Sequence, residues 1–299
     1  MNRRHLFRRA AFAGAAFLAA GCGVEPTVVD GSHAPTLVPL STPPRLALVL
    51  AAGGPRGFAH VGVLRALGEL GVRPDLIVGA SVGALLGAAL AAGLSIERIE
   101  ALAFDFDFYR LLRWSPWGGV QLDGSLIAQA VRDSLGITRF SELRTPLAVV
   151  ASDITNGTPV VFNHGELGVA VQASCAIPGR FPAVRIGGRE LVDADVLSPL
   201  PVKAARELGA QRVLAVDVAV HMDRPRPAGA EVYLEGDRLK REQIDAEARL
   251  ADLVLHPYFG YWVNLSREYR VTSARAAYEQ TLLEASRLRA LADSAVASA

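Results

Sequence analysis

Leu76-Ile77-Val78-Gly79-Ala80-Ser81-Val82-Gly83, continuing as a run of alanine and leucine to Ala92 and closed by Gly93, is the stretch from which the fold can be read. Leu76 to Val78 is a short apolar run of strand length, and Ser81 to Ala92 has helical composition and ends at a glycine suited to a helix C-terminus. Between them stands Gly79-Ala80-Ser81-Val82-Gly83, a G-x-S-x-G. Where this pattern joins a strand to a helix, its glycines allow the tight turn that lifts a serine Oγ above the sheet. The helix N-terminus beneath Ser81 then favours the negative charge that develops in acyl transfer. A turn serving helix packing alone could carry the same letters, but the strand before it and the helix after it favour a nucleophile.

Working outward, Leu46 to Ala51 is another buried-strand run, followed by the glycine-rich Ala52-Gly53-Gly54-Pro55-Arg56-Gly57. Phe58 to Leu70 then carries Val61, Leu64 and Leu67 at helical spacing and stops at Gly71. Leu147 to Ala151 and Arg212 to Val218 are further buried strands, with hairpin-type turns at Thr155-Asn156-Gly157-Thr158 and Ile186-Gly187-Gly188-Arg189. Strands alternating with helices predict an α/β fold, a three-layer α/β/α with a mostly parallel central sheet. Arg238 to Leu253 and Ser273 to Leu291 are amphipathic and helical, expected to cover the far edge of the sheet.

The 299 residues are 51% hydrophobic and 20% charged, enough for one large domain. With 31 basic against 30 acidic side chains spread along the chain, nucleic acid is excluded as an expected partner. Residues 1–22 have the pattern of an export signal: Arg3, Arg4, Arg8 and Arg9, an apolar run from Ala10 to Ala20 too short to span a bilayer, then Leu18-Ala19-Ala20-Gly21-Cys22. That ending resembles a bacterial lipobox, which implies lipidation of Cys22 and attachment to a membrane surface on the periplasmic or extracytoplasmic side of a cell envelope. Asn2 to Arg8 also resembles a twin-arginine signal, and a general secretory signal fits equally well. Residues 23–44, rich in Pro, Ser, Thr and Gly, are expected to form a flexible tether. The expected organisation is therefore signal 1–22, tether 23–44, catalytic domain 45–220 and a helical extension 221–299 packed on the same domain. Cys175 remains as the one other thiol, and no cluster of His, Cys or acids has metal-ligand spacing.

Two further features carry chemistry. Backbone N–H groups at Gly53, Gly54, Arg56 and Gly57, at a helix start, would form a nest for a tetrahedral oxyanion, with Pro55 contributing none. A dinucleotide loop is the weaker rival, since the spacing is not G-x-G-x-x-G. Leu191-Val192-Asp193-Ala194-Asp195 places a carboxylate at a strand end, where burial could raise its pKa enough to accept the Ser81 proton. Asp195 is better suited than Asp193 to capping or to a surface turn.

These features, in this order and spacing, resemble the patatin-like phospholipases. Ala52 to Gly57 is similar to that family's G-G-G-x-[KR]-G loop with Ala52 for the first glycine, and Gly79 to Gly83 matches its G-x-S-x-G fully. Asp193 opens a stretch similar to its D-G-[GA], with Ala194 and Asp195 in the last two places, and Ala173 to Pro182 looks like the segment ahead of that aspartate. The resemblance, over about residues 45–220, implies hydrolysis of carboxylic esters of lipids by a Ser81–Asp193 dyad without histidine or cofactor.

An α/β-hydrolase triad is the alternative, because Ser81, Asp193 and either His221 or His256 occur in the order Ser, Asp, His. Against it, only one βα unit separates the first glycine loop from Ser81. A membrane-anchored protein that binds lipids without turning them over is a third reading, which the intact Ser81 and Asp193 oppose. His60 is expected to be a satisfied helix residue and Cys175 a small buried one. Phe104 to Tyr109 with Trp114 and Trp117 would form an acyl-binding wall or interfacial lid, or else ordinary core.

Overall fold

A computed structural model describes residues 26–107, 111–115 and 119–297. In chain order its strands are β1 (Val28–Val29), β2 (Leu46–Leu50), β3 (Leu76–Ala80), β4 (Leu112–Ser115), β5 (Gly119–Leu122), β6 (Leu147–Asp153), β7 (Thr158–Phe162), β8 (Val184–Ile186), β9 (Arg189–Val192), β10 (Arg212–Val216) and β11 (Leu253–Leu255). The helices are α1 (Phe58–Glu69), α2 (Val82–Ala91), α3 (Ile96–Phe104), α4 (Ser125–Leu135), α5 (Leu167–Ser174), α6 (Val202–Glu207), α7 (Leu234–Ala248), α8 (Arg267–Leu283) and α9 (Ala285–Ala297).

The apolar runs that mark buried strands in the sequence form the middle of one sheet. β2, β3 and β6 are buried at every position, which requires cover on both faces. The sheet runs β1-β8-β9-β6-β3-β2-β10-β11, with β7 also paired to β6. From β6 through β3, β2 and β10 to β11 the pairing is parallel, whereas β7, β9 and β8 enter antiparallel. The expected mostly parallel α/β sheet flanked by helices is present, and the two glycine turns close the β6–β7 and β8–β9 hairpins. β4 and β5 pair antiparallel outside this sheet.

Two expectations change. The expected tether, residues 23–44, is not free over its described part from Pro26: Val28 and Val29 pair in parallel with Arg185 and Ile186, Thr36 bridges to His164, and Pro35 and Pro44 are buried. An exposed strand edge offers unpaired backbone groups that even two residues can satisfy, without the apolar period that marks a longer strand. In the second change, the helix expected to reach Leu253 ends at Ala248, and Leu253 instead opens the edge strand β11. Nor does the C-terminal region lie only at the sheet edge. α8 packs along α1, and the two helices cross at Gly62, where a Cβ would run into the Ala274 carbonyl. Among the described residues no helix is long and apolar enough to cross a membrane.

Candidate active site

The pairing register brings the chemistry together. Ala80 of β3 is level with Val150 of β6, and Val192 of β9 is level with Ser152; because β7 occupies the other edge of β6 at Ser152 and Asp153, β9 takes up the same edge of β6 where β3 leaves it. One residue further along each strand, Ser81 and Asp193 both come level with Ala151 on that one edge, so the two strand ends meet there. The Ser81 hydroxyl donates to Asp193 Oδ2 at 2.7 Å, and both residues are buried.

Ser81 has φ 52° and ψ −121°, and among the described residues it is the only one other than glycine with positive φ. Such a conformation costs on the order of 1–3 kcal/mol and persists only where its surroundings enforce it. The flanking glycines provide for that. A Cβ on Gly79 would stand 2.6 Å from the Ala84 Cα, and one on Gly83 would run into the carbonyl oxygen of Leu50. The G-x-S-x-G is therefore read by contact: β2, β3 and α2 approach so closely around Ser81 that neither outer position admits a side chain.

Asp193 is held by its backbone N–H, which donates to the Ala176 carbonyl at 2.9 Å, and by the Asp195 N–H, which donates to Asp193 Oδ1 at 2.8 Å. Burial raises its pKa to about 7, opposed by the hydrogen bonds from Asp195 and Ser81. Asp195 raises it slightly further through its charge, and Lys240 lowers it. Asp195 itself is partly exposed and its carboxylate pairs with Lys240 Nζ at 2.5 Å, so it supports Asp193 through its backbone and does not meet Ser81.

The loop after β2 lies against this turn, for a Cβ on Gly57 would collide with the Val82 side chain. Its four candidate donors divide. Gly53 and Gly54 have N–H groups with no protein acceptor among the described residues. The Arg56 N–H is committed to the Gly53 carbonyl at 3.1 Å, which removes it as an oxyanion donor. Gly57 ends the short 3-10 turn Gly54–Gly57 that leads into α1. The Arg56 side chain turns away, donating from Nε to the Val218 carbonyl at 2.6 Å and from its other nitrogens to the carbonyls of Ala219, Gly260 and Tyr261, with Phe259 stacked 4.6 Å from it. Arg56 thus ties the loop to the segments after β10 and β11.

The histidines gather elsewhere. His256 Nε2 donates to the Ala219 carbonyl at 3.0 Å and sits 3.6 Å from Asp217, which pairs with Arg241 at 2.5 Å. His221 stacks on His256 with ring centroids 3.6 Å apart. Neither ring has a hydrogen bond to Ser81 or Asp193. His60 is fully buried with Nε2 on the Ala51 carbonyl at 2.9 Å, and burial drops its pKa to about 4, so it is neutral. Its Nδ1 has no partner, a departure from the expectation that it is satisfied. Cys175 is a buried free thiol at the end of α5, and burial beside Asp193 pushes its pKa well up. Phe104 and Phe106 pack against the core, while Phe108, Tyr109, Trp117 and the Trp114 side chain lie outside the described residues, as does Cys22. No group of three or more His, Cys, Asp or Glu suited to a metal occurs among the described residues.

A serine set on a strained strand-to-helix turn, hydrogen-bonded to a buried carboxylate and facing a glycine loop, forms the candidate site on a three-layer α/β fold. The model of the patatin-like phospholipase family matches residues 48–206, more than half of the chain and inclusive of both Ser81 and Asp193. The chain belongs to that family. An uncharacterised NTE family protein of Mycobacterium tuberculosis is 37% identical over 184 residues, covering 60% of this chain and 50% of the relative. The human patatin-like phospholipase domain-containing protein 6 is 32% identical over 181 residues, 58% of this chain and 13% of that protein. The chain thus matches about half the length of its mycobacterial relative. The crystal structure of VipD from Legionella pneumophila shares the fold at 16% identity, with a TM-score of 0.54 over 83% of this chain and 66% of that one.

Proposed function

We propose that this protein hydrolyses carboxylic ester bonds of lipids through an acyl enzyme on Ser81, with Asp193 as the base. The observation that carries the reading is the 2.7 Å hydrogen bond from Ser81 Oγ to Asp193 Oδ2, made by a carboxylate whose pKa burial has raised to about 7. A group titrating near the working pH is both a competent base and a competent acid. Asp193 takes the hydroxyl proton as Oγ bonds to the ester carbonyl carbon. The oxyanion is received by the Gly53 and Gly54 amides and the start of α2. Collapse breaks the bond to the alcohol, which leaves with the proton from Asp193. Water then attacks the acyl-Ser81 ester, giving its proton to Asp193, and the carboxylic acid departs as Ser81 recovers its hydrogen.

The triad alternative draws no support from the geometry, since His221 and His256 are engaged with each other, with Asp217 and with backbone carbonyls. Asp193→Asn should therefore lower kcat on a chromogenic ester by about 10²- to 10⁴-fold, whereas His221→Ala and His256→Ala, assayed where they remain folded, should keep most of it. A folded histidine variant as inactive as Asp193→Asn would transfer the base role to that ring.

The same proposal includes the place of action: export through residues 1–22, acylation of Cys22 and attachment to the extracytoplasmic side of a cell envelope, where the substrate lipids are. Its support is the sequence pattern of that segment. No cofactor enters the mechanism.

A further inference from the structure

The segment Ser174-Cys175-Ala176, at the end of α5, touches both members of the dyad. Ser174 is fully buried, and its Oγ accepts the backbone N–H of Ser81 at 2.8 Å. Two residues on, the Ala176 carbonyl accepts the backbone N–H of Asp193 at 2.9 Å. These backbone amides belong to the two residues that form the 2.7 Å Ser81–Asp193 bond, though they lie 112 positions apart in the chain. α5 itself is fixed by close packing: a Cβ on Gly168 would stand 2.8 Å from the Ala128 carbonyl of α4, and Gln172 donates to Thr27 Oγ1 at 2.7 Å.

We infer that Ser174 is a positioning residue for the proposed reaction, its hydroxyl holding Ser81 in the positive-φ conformation while Ala176, in the same turn, holds Asp193 at the matching distance. The physical need is specific. The Ser81 N–H sits at the junction of β3 and α2, where the chain has left its ladder and φ 52° has no intrinsic support. A buried N–H without an acceptor is costly, so the bond to Ser174 favours the one conformation that satisfies it. With the oxygen removed, the turn relaxes toward ordinary φ and Oγ swings off the line between Asp193 and the ester carbon. Displacements of that order cost up to about 100-fold in rate. A serine inside a helix has no local sequence signal for such a role, because the partner is 93 residues away.

The inference rests on the Ser81–Asp193 reading, and the experiment separates the two. Ser174→Ala, Ser174→Thr and Ser81→Ala are compared with the unaltered protein on a short soluble ester, with melting curves for each. Ser174→Ala is expected to lose about 10- to 100-fold in kcat with KM changed less than about twofold, to slow fluorophosphonate labelling of Ser81 in parallel, and to be largely rescued by Ser174→Thr, which keeps an acceptor oxygen. A Ser174→Ala protein with kcat within about twofold of the original, beside an inactive Ser81→Ala, overturns the positioning role and leaves the dyad standing. Activity in Ser81→Ala overturns the dyad instead. Should Ser174→Ala not fold, hydrogen exchange at the Ser81 amide of the unaltered protein decides: strong protection is expected, and exchange at the rate of an open loop refutes the bond.

Discussion

Asp193 is buried at 2% exposure, yet the proposed reaction asks it to carry a charge. Desolvation is the largest influence on its pKa and hydrogen bonds only partly offset it, which leaves the group poised near 7. The catalytic form is the ionised one, so kcat/KM should rise as pH passes through about 7 and level off above. Asp195 and Lys240 tune that limb from opposite sides. Asp195→Asn removes a negative neighbour and should move the limb to lower pH, whereas Lys240→Met should move it to higher pH, both measured as pH profiles on a soluble ester. The stability consequence has a fixed sign. A carboxyl whose folded pKa lies above its unfolded value makes the fold less stable as pH rises from about 4 to about 7, because the native state binds the extra proton. Asp193→Asn should therefore gain in melting temperature relative to the unaltered protein across that interval, and a difference that does not grow with pH would mean that Asp193 is not destabilised by burial.

At the scale of elements, the site is the product of β3 and β9 meeting end to end along one edge of β6, of β2 beside β3, and of helices pressed onto these strands at glycines. Gly83 allows α2 to lie on the Leu50 carbonyl. A methyl group there would force α2 outward, and Gly83→Ala should destabilise by about 1–3 kcal/mol, the range for overpacking in a close-packed interior, and reduce activity in the fraction that folds. Denaturant unfolding of the variant checks this, and a ΔΔG near zero would mean that the close approach is not maintained in solution. Much of this level was legible in the sequence. The strands at Leu46, Leu76, Leu147 and Arg212, α1 and α2 with their closing glycines, and both hairpin turns follow from apolar run length and turn chemistry, which are local. What was not legible depends on distant partners. The pairing of Val28 and Val29 is decided by the free edge of β8, and the three-residue β11 by the free edge of β10. The loss of Arg56 as a backbone donor comes from a turn geometry that the letters do not carry, and Ser174 reports on Ser81 only once the chain has folded.

The molecule as a whole pairs a well-packed layer that carries Ser81 and Asp193 with a C-terminal region that braces it. α8 lies on α1, and Arg56 locks the glycine loop to the backbone after β10 and β11, so residues 253–283 support the site without entering it. The N-terminal side acts on location in the proposed scheme. Because the described contacts of this segment begin at Thr27, five positions past Cys22, Cys22→Ser is expected to release the protein from membrane fractions while hydrolysis of a short soluble ester stays unchanged. Fractionation with an ester assay on both forms tests this, and retention in membranes after a high-salt wash would refute anchoring by Cys22.

The most direct test of the central claim is covalent labelling with a fluorophosphonate, read by intact mass and peptide mapping, on the unaltered protein and on Ser81→Ala. One adduct is expected, on the peptide containing Ser81, absent from a Ser81→Ala protein that melts normally and has lost on the order of 10⁴-fold or more of its ester hydrolysis. An adduct elsewhere, or a folded Ser81→Ala protein that still turns over esters at a substantial rate, would contradict it.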